Sequence, residues 1–125
     1  MLKQKDDKPT ILFLEDDTSI IQTAKKIFDT ERFDLITESS MISGMNALGT
    51  LHVDFVLMDY YMPPFTASDM LDVVKKYKIP YAICTAADTV DVCVEDMKHV
   101  WSKSDFFRCP DRILQLLGKE LEKQF

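Results

Sequence analysis

Two hydrophobic periods alternate along this chain, and the alternation leaves few folds open to it. Short β-rich runs stand at about 11–14, 33–37, 54–58, 80–84 and 99–102, and the segments between them carry apolar residues at helical spacing. The runs ILFL and FVLM are almost continuously apolar, as strands covered on both faces of a parallel sheet must be. Right-handed crossovers restrict how such strands can be joined. The pattern predicts an α/β fold: a doubly wound, five-stranded parallel sheet with helices on both faces.

Start signals support the intervening helices. Thr18 or Asp17 can cap a first helix whose apolar stripe is Ile20, Ile21, Ala24, Ile27 and Phe28. Ser40 can open a second, carrying Met41, Met45 and Leu48, although Gly44 and Gly49 lower its intrinsic propensity. Thr66 followed by Asp69 resembles a capping box ahead of Met70, Leu71, Val73 and Val74, with Pro80 beyond the helix end. Asp88 can start a fourth helix with Val90, Val94 and Met97 apolar. Pro110 and Asp111 open a fifth, bearing Ile113, Leu114, Leu116, Leu117 and Leu121.

Composition narrows the function classes. The 125 residues suit one domain with a single substantial core. A formal charge of −6 and a pI near 4.8 argue against a nucleic-acid partner, because no dominant basic stripe can form. No stretch is long and apolar enough to span a bilayer, and the polar start MLKQKDDKPT lacks the core of a secretory signal. A cytoplasmic protein without membrane contact is expected. Cys84, Cys93 and Cys109 show no C-x-x-C spacing, so they read as packing thiols, and the isolated His52 and His99 receive no chemistry.

Polar residues close the apolar runs: Glu15 and Asp16 after the first, Asp59 after FVLM, Thr85 after YAIC and Lys103 after VWS. In an open parallel sheet the carboxyl ends of the strands share one rim, where ligands bind at the switch point. Three carboxylates, a hydroxyl and an ammonium converging there suit a hard divalent cation and a transferable phosphoryl group. An acid directly after FVLM is costly unless a partner or a function holds it. Asp17, one place beyond the paired acids, is better suited to capping the first helix.

The motifs LEDD (14–17), MDYYMPP (58–64), CTAA (84–87) and WSK (101–103), in this order and each at a strand end, resemble the receiver domain of two-component response regulators over nearly the full length. The resemblance implies a flavodoxin-like receiver fold over residues 10–125 behind a polar extension at 1–9. It implies that Asp59 accepts a phosphoryl group from a histidine kinase or phosphotransfer protein. Mg²⁺ would then be held by Asp16, Asp59 and the backbone carbonyl of Tyr61, with Glu15 acting through water. Lys103, the Thr85 hydroxyl and the Ala86 backbone N–H would meet the phosphoryl oxygens. Such a protein assists its own phosphorylation without being a turnover enzyme, and signals to an unknown downstream protein as a monomer or weak homodimer.

The chain departs from the family pattern in several places. Ser104 follows Lys103 where proline is usual, so the cis peptide common at that bond is not expected and the aim of Lys103 is left open. The interval from Thr85 to Lys103 is shorter by roughly one helical turn, about 5 Å of helix. Val100 occupies the place of the usual switch aromatic, with Trp101 beside it; period-two alternation puts Trp101 on the side of Lys103 unless the strand bulges. Ala67 replaces a common glycine, and Tyr61 and Ala87 flank the route of an attacking water, which Tyr61 is expected to screen. These departures motivate an alternative: a degenerate receiver serving as a phosphorylation-independent interaction module. A phosphatase or flavoprotein of similar architecture fits less well, since Tyr61 breaks the D-x-D pattern of the former and Glu15 and Asp16 would repel a flavin phosphate.

Overall fold

In this computed structural model the described residues are 8–62, 65–85 and 100–122, of which 61 and 65–68 are described by backbone alone. The expected fourth helix, with Asp88, Val90, Val94 and Met97, lies outside them, as do Ala86, Ala87, Cys93 and His99. The elements run β1 (Thr10–Leu14), α1 (Thr18–Ile27), β2 (Asp34–Glu38), α2 (Met41–Thr50), β3 (Phe55–Asp59), β4 (Tyr61–Met62), β5 (Phe65–Thr66), α3 (Ala67–Lys76), β6 (Tyr81–Thr85), β7 (Val100–Ser102), α4 (Lys103–Arg108) and α5 (Pro110–Glu122). The five expected strands form one parallel sheet in the order β2-β1-β3-β6-β7. The chain therefore reverses direction across the sheet between β1 and β3, which is the switch point.

Strand parity divides the core into two layers. Leu12 and Leu14 of β1, Val56 and Met58 of β3, and Tyr81 and Ile83 of β6 face one cluster with Met41, Leu48, Met70 and Val74 of α2 and α3. Ile11 and Phe13, Phe55 and Leu57, and Ala82 and Cys84 face the other, against Ile20, Ala24 and Ile27 of α1, Phe106 of α4, and Ile113 and Leu117 of α5. Both faces of the central strands are buried, which explains why their sequences are apolar throughout rather than alternating.

The helix ends follow from local chemistry. Asp17 is the N-cap of α1, accepting from the backbone N–H and the hydroxyl of Ser19 at 2.9 and 2.7 Å, and Ser40 caps α2 by accepting from the Ser43 N–H at 3.1 Å. Gly44 lowers helix propensity but lets α2 approach β1: a Cβ there would collide with Leu14 Cδ2 and lie 3.0 Å from Leu14 Cδ1. Two elements depart from expectation. A short antiparallel pair, β4 with β5, follows β3. The short helix α4 occupies residues that carried no predicted element, ahead of the expected helix at Pro110.

At the opposite rim, Asp54 is buried and accepts from the backbone N–H of Thr10 at 2.7 Å, with His52 Nε2 3.0 Å from its other oxygen. This acid closes the N-terminal ends of β1 and β3 and is structural. α3 stops in a Schellman arrangement: Lys78 N–H bonds the Lys75 carbonyl at 3.1 Å, Ile79 N–H bonds the Val74 carbonyl at 3.2 Å, and Lys78 sits at φ 57°. A side chain in that left-handed region costs about 1–2 kcal/mol, of which the larger unfolded-state entropy of glycine returns only about 0.4–1. Lys78→Gly is expected to stabilise the fold by about 0.5–1 kcal/mol in urea unfolding, where an ordinary helix-end glycine substitution would destabilise it.

Candidate functional site

The register of the sheet builds the site. Leu14 pairs with Met58 across β1 and β3, so the next residues on each strand, Glu15 and Asp59, emerge side by side on one face. Asp59 in turn pairs with Cys84 on β6, placing Thr85 one step further along the same rim. From β7, Trp101 and Ser102 pair with Cys84 and Thr85, and Lys103 follows directly. Its ammonium donates to Glu15 Oε1 at 2.7 Å and lies 3.1 Å from Asp59 Oδ2. Asp16 is exposed, yet one carboxylate oxygen from each of Glu15, Asp16 and Asp59 lies within 4.8 Å of the others.

Burial sets the electrostatics. The Glu15 side chain is wholly shielded from solvent, whereas those of Asp59 and Lys103 keep 11% and 16% of their exposure. Burial pushes the Glu15 carboxyl up to about 7; the Lys103 hydrogen bond opposes this, and the adjacent Asp59 carboxylate reinforces it. Burial alone would lower the Lys103 ammonium, but hydrogen bonds to Glu15 and Asp59 outweigh it and raise the group. Burial likewise pushes up the Cys84 thiol, leaving it inert as a nucleophile. Outside the pocket, the Ser19 hydroxyl and N–H hold Asp17 below the usual carboxylate range, in keeping with capping.

The donor set fits a hard cation. All the offered atoms are oxygens, and Glu15 Oε2 is buried with no hydrogen-bond partner among the described residues. Lys103 reaches Oε1, so among the described residues no hydrogen-bond donor meets Oε2 of a carboxylate that stands beside two others. A divalent ion held among these oxygens would suit a group that has no donor among the described residues.

Of the residues expected at the rim, Glu15, Asp16, Asp59, Thr85 and Lys103 are all there, Thr85 being buried at the end of β6. Tyr61 opens β4 two residues beyond Asp59; its side chain, and with it the expected screening of water, lies outside the described residues, as does the Ala86 N–H. Lys103 is the first residue of a helix and not the continuation of β7, so strand alternation stops at Ser102. Trp101 is buried in the α1/α5 layer, on the sheet face from which Glu15 and Asp59 emerge to meet Lys103, and is stacked on Phe55 at 5.5 Å. Sequence reasoning missed the helix that carries the lysine, although Ser102 and Asp105 spell a capping signal.

Glu15 gives a signed pH dependence. Its carboxyl is raised in the fold from 4.5 to about 7, so between those values the folded state holds a proton the unfolded chain has released, and stability falls as pH rises. Without divalent cations, unfolding free energy is expected to drop across this window by up to about 1.4 kcal/mol per pH unit. Urea titrations in the presence of a chelator check this, and Glu15→Gln is expected to lose the slope.

No family profile matches the chain. A curated relative, the heme response regulator HssR of Staphylococcus saprophyticus, is 24% identical over 109 residues, covering 86% of this chain and 48% of that protein. The chain thus spans about half the length of the curated relative it matches. Among solved structures, a CheY-like response regulator receiver domain protein from Methanospirillum hungatei superposes with a TM-score of 0.82 at 18% identity, covering 94% of this chain and 97% of that one. The receiver domain of Francisella response regulator 1452 gives 0.79 at 20% identity, covering 94% and 100%. The phosphorylated cyanobacterial phytochrome response regulator RcpA gives 0.66 at 17% identity, covering 86% and 91%. By its strand order and these superpositions, the chain has the fold of response-regulator receiver domains.

Proposed function

We propose that this receiver accepts a phosphoryl group on Asp59 from a histidine kinase or phosphotransfer protein, in a Mg²⁺-dependent reaction, and signals through altered protein contacts. One observation carries the reading: the Lys103 ammonium bridges Glu15 and Asp59 beside a third carboxylate at the switch-point rim. Asp16, Asp59 and the Tyr61 carbonyl would hold the ion, with Glu15 acting through water, and the bound ion supplies neutralisation of the carboxylates and of an incoming phosphoryl oxygen.

The remaining chemistry belongs to the chain. An Asp59 carboxylate oxygen attacks phosphorus; the P–N bond to the donor imidazole breaks, its electron pair leaves with the ring, and a new P–O bond makes a mixed anhydride. Lys103 lies near enough to Asp59 to neutralise one phosphoryl oxygen, while the Thr85 hydroxyl and Ala86 N–H donate to others. Such catalysis is positioning and charge neutralisation, consistent with a signalling module and not a turnover enzyme. The receiver domain is assigned to residues 10–125 behind the polar segment 1–9. No helix among the described residues is long and apolar enough to cross a membrane, and we assign the protein to the cytoplasm, acting on a protein target without nucleic-acid contact.

Acetyl phosphate with Mg²⁺ is expected to add the mass of one phosphoryl group. Chelation and Asp59→Asn should each abolish the gain, and Lys103→Met should slow it by about 10²-fold or more, the scale of losing one preorganised charge contact. An unmodified wild-type protein, or labelling that survives Asp59→Asn, would overturn the assignment.

A further inference from the structure

The proline that would usually follow the lysine is absent, yet Lys103 is held against two carboxylates at 2.7 and 3.1 Å. A lysine stem has four rotatable bonds and about 2 kcal/mol of rotamer entropy to lose, so its backbone must be fixed by something else. Ser102 ends β7, pairs with Thr85, and caps α4. Its Oγ accepts from the Ser104 N–H at 3.3 Å and lies 2.7 Å from the Ser104 hydroxyl.

Three residues beyond the lysine, Phe106 is 1% exposed, stacked on Phe13 at 5.9 Å and edge-on to Phe28 at 6.4 Å. Phe13 and Glu15 are two apart along β1 and share a face, while Phe106 and Lys103 are three apart along α4 and share a face. The helical step spans about 4.5 Å and the strand step about 6.6 Å, a difference the lysine stem takes up. α4 therefore lies back along β1, with Phe106 on Phe13 and Lys103 on Glu15. Its far end is closed by the Cys109 N–H on the Asp105 carbonyl at 2.9 Å and joined to α5 by Arg112 and Asp105 at 3.4 Å.

We propose that Ser102 and Phe106 are positioning residues that deliver the Lys103 ammonium to Asp59, the serine by capping α4 just before the lysine and the phenylalanine by pinning the helix to β1 just after it. The catalytic consequence rests on the phosphoacceptor reading above; the positioning itself does not.

Acetyl phosphate labelling at saturating Mg²⁺ tests the consequence. Ser102→Ala is expected to slow labelling about fivefold, equivalent to about 1 kcal/mol, with Ser102→Asn, another good cap, restoring it. Phe106→Leu should slow it similarly. Mg²⁺ affinity should stay within about twofold, since the cap acts through the lysine. In a Lys103→Met background Ser102→Ala should slow labelling no further; an equal slowing there would show general weakening of the fold and overturn the proposal. A second readout needs neither metal nor phosphoryl group: in chelator, the urea destabilisations of Ser102→Ala and Lys103→Met should add to less than their sum. Strict additivity overturns the positioning role. Failure of the wild type to label while the two changes remain coupled would sink the phosphoacceptor reading alone.

Discussion

The Glu15–Lys103–Asp59 bridge is the constraint on which the arrangement turns. Two carboxylates emerge side by side because Leu14 and Met58 are paired in register, and a one-residue slip of either strand would turn its acid to the opposite face. The register is in turn secured from both sides. Slippage would carry Leu12, Leu14, Val56 and Met58 out of one apolar layer and Ile11, Phe13, Phe55 and Leu57 out of the other. The chemistry at the rim is therefore held in place by side chains that never reach it.

The opposite rim shows the same logic without the chemistry. Asp54 is as buried as Asp59, but its oxygens meet the Thr10 N–H and His52. A buried acid is thus not in itself a signature of function. The distinction lies in whether nearby donors satisfy the group, and Glu15 Oε2, with no such donor among the described residues, is on the other side of that line.

Much of this could be read from residues alone, for a physical reason. Buried strands, polar strand ends and caps such as Asp17 and Ser40 depend on neighbours in sequence, and local patterns record local causes. Trp101 illustrates the limit: alternation fixed its relation to Val100, but its partner Phe55 belongs to a strand distant in sequence. Lys103 was assigned to the rim correctly while its helix was overlooked, because the conspicuous Pro110 start masked the weaker signal of Ser102 and Asp105. Gly44 looked like a propensity defect, and only the contact with Leu14 shows why the chain bears it. The burial of Glu15 was not legible either, since Glu15 and the exposed Asp16 are neighbours of nearly identical chemistry.

The Lys103 ammonium by itself cannot balance this site. Three carboxylates share the rim, and Lys103 reaches one oxygen of Glu15 and one of Asp59. Burial above all, reinforced by repulsion from the adjacent Asp59 carboxylate, is why Glu15 holds its proton to about 7. Replacing an acid by an amide would relieve that repulsion and favour the fold, while removing an oxygen that a divalent ion requires. Stability and ligand capacity are thus opposed within the same few atoms. The fold tolerates the opposition because two apolar layers, one on each face of the sheet, hold β1 and β3 whatever the charge at their ends.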